Sequence, residues 1–137
     1  MKVSTKGRYA LRVMIDLAEH DDGKYITLKE IADRQEISEK YLESIISSLS
    51  KAKFVVGLRG KGGGYMLSRR PNTYSVGSIL KLTEKSMAPV ACLDCDHGGC
   101  ERADRCKTLP MWIKLDNIID EYFESITLEQ LVNGEIK

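Results

Sequence analysis

The chain has 137 residues, of which 42% are hydrophobic and 30% charged, an ordinary composition for a soluble globular protein. This length allows one good core with an appended element but hardly two full domains. No apolar run approaches the roughly 18 residues needed to span a bilayer, and the charged, periodic N-terminus is neither a signal peptide nor an anchor, so we predict a cytoplasmic protein with no membrane partner.

The net charge of +1 is unevenly divided along the chain. Residues 1–85 carry 16 Lys and Arg against 10 Asp and Glu, a net of +6, whereas residues 86–137 carry 5 against 10, a net of −5. A basic half joined to an acidic half fits a DNA-contacting domain followed by a different element. On this feature alone, chance asymmetry in a small enzyme is the alternative.

Three helices are predicted in the first half of the chain. Apolar residues at helical spacing between 8 and 19 indicate a buried helix, and Thr27 with Glu30 forms a capping box that opens a short second helix. Ser38 is predicted to cap a third helix, over about 38–51, whose apolar face lies opposite small hydroxyls and charges. A longer packing helix before two closely spaced helices predicts a helix-turn-helix, with the third helix as the DNA reader.

Residues 54–68 predict a β-hairpin, because two β-prone runs flank a glycine-rich turn. Directly after a helix-turn-helix, such a hairpin is the wing of a winged helix, and its glycines let the tip approach a phosphate backbone. The turn lacks the context and the Lys-Ser/Thr ending of a nucleotide-binding loop. The residues predicted to contact double-stranded DNA are Ser38, Lys40, Tyr41, Glu43, Ser44, Ser47, Arg59, Lys61 and Gly62.

All four cysteines lie within a short segment, at Cys92, Cys95, Cys100 and Cys106. Thiolates grouped this tightly can surround one metal centre, and cytoplasmic thiols stay reduced, which disfavours a disulfide framework. The spacing alone favours a tetrahedral zinc site about as much as an iron–sulfur cluster, and it leaves a metal-free thiol switch and inert structural cysteines open. We predict a DNA-binding domain over 1–85 followed by a cysteine-bearing sensor loop over 86–107.

Residues 108–137 predict a long helix from about Thr108 and a C-terminal tail, in which Thr127 and Gln130 form a second capping box. Large apolar residues on the helix step by three and four, as in a heptad seam that Ile118 and Phe123 widen. A DNA reader of this size needs a two-fold partner to span two half-sites, so we predict a homodimer, with packing on its own domain as the alternative. The predicted seam consists of Trp112, Leu115, Ile119, Tyr122 and Ile126.

The predicted fold class is mainly α with a small β-hairpin: a winged helix-turn-helix domain plus a long C-terminal dimerisation helix. Catalytic residues are not evident in the sequence. His20 and His97 lie in predicted loops or helix ends without triad partners, and no paired acids stand in a cleft-like context. We therefore predict a protein that is not an enzyme and has no small-molecule substrate.

Several segments together resemble the IscR/NsrR/CymR-type family of bacterial winged-helix transcription regulators. They are STKGRYALRVMIDLA, EKYLESIISSLSKAKFV, VGLRGKGGGYMLSR and the cysteines before Trp112, and the resemblance covers almost the whole chain. It implies a homodimer and, in the cluster-binding members, a [2Fe–2S] cluster held by three cysteines and one other ligand. Some relatives use [4Fe–4S], and the CymR-like branch lacks the cluster and works in cysteine metabolism.

Matched position by position with this family, Cys92, Cys100 and Cys106 stand where its three ligands stand. Cys95 is an extra cysteine, and Leu109 replaces a histidine that some members carry. The fourth ligand is therefore open between Cys95, His97 and a group from the partner subunit. The resemblance implies a repressor-like regulator that senses cluster status, redox or nitric oxide and controls cluster biogenesis genes. A cluster-free regulator of cysteine metabolism and a zinc-binding interaction module are the alternatives.

Overall fold

The computed structural model describes residues 2–94 and 101–137, and within these it has six α-helices and one two-stranded antiparallel sheet. In chain order the elements are α1 (Thr5–Glu19), α2 (Leu28–Gln35), α3 (Glu39–Lys51), β1 (Val55–Leu58), β2 (Gly64–Leu67), α4 (Val76–Leu80), α5 (Leu109–Ser125) and α6 (Leu128–Val132). The predicted class, mainly helical with one hairpin, is confirmed. The helix α4 is short, because the chain continues from Leu80 in tight turns.

Side-chain caps define the start of five of these helices. In each case a hydroxyl oxygen accepts a hydrogen bond from the backbone N–H three residues later, which satisfies one of the unpaired donors of the first turn. The capping residues are Ser4, Thr27, Ser38, Ser75 and Thr127. Each such cap stabilises its helix by about 1 kcal/mol. The helix α5 is the exception, since the Thr108 side chain makes no capping hydrogen bond and Pro110 occupies the first turn.

The hydrophobic core lies between the first three helices and the base of the hairpin. Its fully buried side chains include Met14 and Leu17 of α1, Ile31 of α2, and Leu42 and Leu49 of α3. The apolar faces that the helical spacing predicts are the faces that this core buries. The core therefore positions α3 with its apolar face buried and its polar face towards solvent.

A buried ion pair joins α1 to α2. The Asp16 carboxylate has no exposed surface and accepts hydrogen bonds from Arg34 Nη2 (2.8 Å), Arg34 Nε (3.0 Å) and Gln35 Nε2 (2.9 Å). Burial on its own would raise the pKa of Asp16, but the donors from Arg34 and Gln35 outweigh it and lower that pKa below its usual value. The two-pronged contact fixes both the spacing and the rotation of the two helices.

The chain after α5 turns back into the N-terminal half, which differs from the prediction. Ile126 follows the helix in an extended conformation, its carbonyl oxygen accepts from the Val76 N–H at 2.8 Å, and its side chain packs beside Leu80. Leu128 is fully buried in the main core. Placing Ile126 in an exposed seam is therefore wrong, because the backbone has already left the helix and buried this residue within its own chain.

The rest of α5 packs mainly against α4 and leaves one apolar face uncovered. This outer face of α5 consists of Met111, Leu115, Ile118 and Tyr122, which step by four, three and four residues. Trp112 and Ile119, from the predicted seam, are instead partly buried beside it. Over residues 2–94 and 101–137, no helix combines the length and the apolarity that crossing a bilayer requires.

Candidate nucleic-acid interface and cysteine segment

The exposed face of α3 carries the predicted reader residues. All six, Ser38, Lys40, Tyr41, Glu43, Ser44 and Ser47, are exposed. The Ser38 hydroxyl accepts from the Tyr41 N–H at 3.2 Å and so sets the first turn of the helix. Lys40, Ser44 and Ser47 follow one another by four and three residues, which places them on one stripe. A face of short polar groups and few bulky ones can enter a major groove and reach base edges.

Two residues of α1 border this face and were missed from the sequence. The Tyr9 ring meets the Tyr41 ring edge-on, with centroids 5.6 Å apart, and the Arg12 guanidinium lies 5.0 Å from the Tyr9 centroid. Arg12 also donates to the Gln35 carbonyl oxygen and side chain. Helical periodicity assigns Tyr9 to the buried stripe, although its spacing of three from Arg12 is typical of a cation stacked on a ring at a helix surface.

The hairpin pairs β1 with β2 in the register Val55↔Leu67, Val56↔Met66, Gly57↔Tyr65 and Leu58↔Gly64. Tyr65 exchanges both backbone hydrogen bonds with Ile26, at 2.7 and 2.8 Å, which ties the wing to the segment before α2. Gly64 has φ +143°, and a Cβ there would overlap the Ile26 carbonyl oxygen, so this contact requires glycine. The anchored hairpin leaves Arg59, Lys61 and Gly62 exposed at the tip.

Positive charge dominates the reader and wing. Residues 38–71 contain seven Lys and Arg but only two acidic residues, Glu39 and Glu43, both near the start of α3. The rest of the surface formed by this segment can approach phosphates without acidic repulsion. Glu43 is the exception on the reader stripe, and a carboxylate in a groove can accept a hydrogen bond from a cytosine amino group.

Two of the four cysteines, Cys92 and Cys106, lie within the described residues. Cys92 lies in a short 3-10 turn, Ala91–Leu93, and is partly buried. Cys106 lies just before α5, with its Sγ 3.3 Å from the Thr108 hydroxyl oxygen. Hydrogen bonds from the Thr108 hydroxyl and backbone lower the pKa of Cys106 and favour its thiolate, the form that binds metals.

The two described thiols, both unpaired, fit the role of metal ligands in their chemistry. The other predicted ligands, Cys95, His97 and Cys100, lie outside the described residues. Over residues 2–94 and 101–137, no three His, Cys, Asp or Glu side chains come together as a ligand set.

Comparison with known proteins gives consistent matches over the whole chain. A family model described as Rrf2, iron-dependent transcriptional regulator, matches residues 3–134. The HTH-type transcriptional regulator IscR of Pectobacterium carotovorum is 37% identical over 135 residues, which cover 98% of this chain and 81% of that protein.

Solved structures give the same result. CymR (YrzC), described as the global cysteine regulator of B. subtilis, has a TM-score of 0.80 and 37% identity and covers 97% of each chain. T. potens IscR has a TM-score of 0.78 and 37% identity, covering 99% of this chain and 89% of that one. Overall identity therefore does not separate an IscR-like from a CymR-like role.

Proposed function

Because this chain belongs to the Rrf2 family of transcriptional regulators, we propose that it binds DNA as a homodimer and senses its signal through a cysteine-ligated iron–sulfur cluster. It is a transcriptional regulator of the Rrf2/IscR type. The observation that most supports a sensor is the placement of two unpaired thiols. Cys92 lies after α4 and Cys106 lies just before α5, the helix whose outer face is uncovered.

In this proposal α3 reads the major groove and the wing tip contacts the minor groove or its phosphates. Base edges carry sequence information, whereas phosphate contacts strengthen binding to every sequence alike. Glu43 is the proposed base reader on α3, and Lys61 the proposed phosphate contact on the wing. Tyr9, which contacts the Tyr41 ring, and Arg12, which stacks on Tyr9, extend the same surface onto α1.

Two substitutions test this division of roles. Glu43→Ala should change the preference among operator variants, since a base contact contributes about 1–3 kcal/mol of discrimination. Lys61→Ala should weaken binding to all sequences and reduce the slope of log K against log salt by about 1. Fluorescence anisotropy on an operator selected from random duplexes measures both. Lys85→Ala, which removes an exposed charge after α4, is the control. The assignment would be refuted if Glu43→Ala kept the wild-type preference among operators and Lys61→Ala kept the wild-type affinity and salt dependence.

The homodimer is proposed to form through the outer face of α5. Leu115 and Tyr122 belong to both the predicted seam and this face, whereas Met111 and Ile118 shift its centre away from the partly buried Ile119. Fully burying a large apolar side chain contributes about 1.5–3 kcal/mol. These four are already about half covered, so each contributes about half of that, and the eight in a dimer together oppose the entropy of association. A two-fold pair of readers would then face two half-sites of one operator.

Ile118→Glu should convert the protein to monomers that bind the operator weakly, because it places an uncompensated charge in the middle of the interface. Ile113→Glu is a matched control, since Ile113 is a similarly exposed isoleucine on the opposite side of α5. Light scattering at micromolar concentration measures the mass. A wild-type monomer, or equal disruption by both variants, would contradict the proposed interface.

The proposed cluster ligands are Cys92, Cys100 and Cys106, with Cys95, His97 or a group from the partner as the fourth. A bound cluster would supply a centre that oxidation, nitric oxide or iron shortage can remove. Cys92 follows α4 and Cys106 precedes α5, so ligands at both positions would constrain the segment between the DNA-binding half and the dimer helix. The similarity to CymR favours a second candidate, a cluster-free regulator of cysteine metabolism.

A further inference from the structure

A small cluster of polar contacts joins α5 to the DNA-binding half. Lys81 Nζ, at the end of α4, lies 2.8 Å from Asp120 Oδ1 and 3.0 Å from Glu124 Oε1. The second oxygen of Glu124 accepts a hydrogen bond from the Ser75 hydroxyl at 2.8 Å. We call Lys81, Asp120 and Glu124 the α4–α5 latch. It connects both ends of the short helix α4 to two successive turns of α5.

The Glu124 carboxylate of the latch lies directly against the backbone of α4 at Gly77. A Cβ on Gly77 would overlap the carboxylate of Glu124, so the close approach of this side chain depends on glycine at position 77. The φ of Gly77 is not in the left-handed region, so backbone conformation does not demand glycine there. Glycine is needed at position 77 for a steric reason, because the Glu124 side chain packs against α4 there.

The latch also lies beside the short turn that carries Cys92. A cavity of about 260 Å³ between α4 and α5 is lined by Lys81 and Asp120 together with Met87, Asp116 and Phe123. A neighbouring groove shares Lys81, Met87 and Asp116 and reaches Leu93, the residue after Cys92. Leu93, in the turn that carries Cys92, and the latch residue Lys81 therefore line the same groove.

We propose that Lys81 is a positioning residue, whose ion pairs set the tilt of α5 against the DNA-binding half and hence the separation of the two reader helices. This inference rests on the homodimer and the DNA binding proposed above. Through Leu93 and Met87, a change at the Cys92 turn would alter that tilt. The latch is thus the mechanical link between the cysteine segment and operator choice.

The geometry of α5 makes such a link sensitive. A helix of 17 residues is about 25 Å long, so a tilt of about 8° displaces its far end by about 3.5 Å. One base pair moves a half-site by about 3.4 Å along the duplex and turns it by about 35°. Because exposed ion pairs contribute little to overall stability, loss of the latch should loosen orientation without unfolding the protein.

The test is a half-site spacing experiment on the full chain. An operator is selected from random duplexes with wild-type protein, and its half-sites are then moved apart or together by one base pair. Wild type should lose about tenfold in affinity at either altered spacing, whereas Lys81→Met should lose about threefold or less. We call the affinity for the selected operator divided by the affinity at an altered spacing the spacing ratio. Lys81→Arg should restore the wild-type spacing ratio, because arginine can pair with both carboxylates. Lys137→Met, at an exposed lysine outside the groove that Lys81 lines, is the matched control and should behave as wild type.

A second variant disturbs the latch at Glu124 instead of at Lys81. Gly77→Ala keeps all three charges and raises helix propensity, but it displaces the Glu124 carboxylate, so it should relax spacing discrimination as Lys81→Met does. Uniformly weaker binding with an unchanged spacing ratio in both variants would overturn the proposal, as would a wild-type protein indifferent to spacing. Failure of wild type to select any duplex, or a wild-type monomer, would refute the proposed function itself and the latch with it.

Discussion

Replacing Cys92, Cys100 or Cys106 with Ala is expected to abolish the visible absorbance and the bound iron of anaerobically reconstituted protein. Each removes one thiolate ligand of the proposed cluster, and an incomplete ligand set does not hold the cluster against solvent and oxidant. Iron and sulfide analysis alongside the absorption spectrum measures the loss. Cys95→Ala is measured beside them, because it removes a thiol from the same segment at a position outside the family's three ligands and so tests Cys95 as the fourth ligand.

The outcomes of this experiment separate the candidate functions. Reconstituted wild type that binds no iron but still binds its operator would favour the cluster-free, CymR-like role. Zinc bound in place of iron, without operator binding, would favour the interaction module. Loss of the chromophore in Cys95→Ala as well would identify Cys95 as the fourth ligand.

Asp16→Asn is expected to lower the free energy of unfolding by about 3 kcal/mol. The substitution leaves the Arg34 guanidinium facing a neutral amide, and breaking a buried pair by removing one partner typically costs about 3–5 kcal/mol. The lower figure applies because the Arg34 side chain is 31% exposed and water can partly solvate it. Urea denaturation measures the change. Asp33→Asn, at an exposed position of α2, makes the same chemical change and should have little effect.

The Asp16 effect should depend on pH in a defined direction. The folded-state pKa of Asp16 lies below that of an unfolded aspartate, about 3.9, so the stabilisation is complete above about pH 5. It is lost as the pH falls through the folded-state pKa, where the carboxylate binds a proton. The difference between wild type and Asp16→Asn should therefore shrink below about pH 4, and a difference that stayed constant down to pH 2 would contradict this account.

Local signals in the sequence were enough to predict the reader helix and the wing. The Ser38 cap, the apolar face that includes Leu42 and Leu49, and the glycines of the hairpin turn act over a few residues. Hydrogen bonds and side-chain periodicity of this range depend little on the rest of the fold. Exposure of all the predicted reader residues follows directly from burial of the opposite face.

The path of the chain after α5 could not be predicted in this way. A heptad pattern continues through Ile126 in the sequence, yet the helix ends at Ser125. The hydrogen bond from the Val76 N–H to Ile126 and the burial of Leu128 decide the matter, because they place the C-terminal residues in the core. Periodicity alone does not reveal whether an apolar side chain is buried by its own chain or by a partner.

By itself the sequence determined the helices of the first half, the hairpin, the charge division and the grouping of the cysteines, since these depend on neighbouring residues or on composition. Only the tertiary structure decided which distant groups meet: Tyr9 beside Tyr41, Arg34 on Asp16, and Lys81 on the two carboxylates of α5. The physical reason is that such contacts join residues 18 to 43 positions apart. Their partners are selected by the packing of whole helices, which no local pattern encodes.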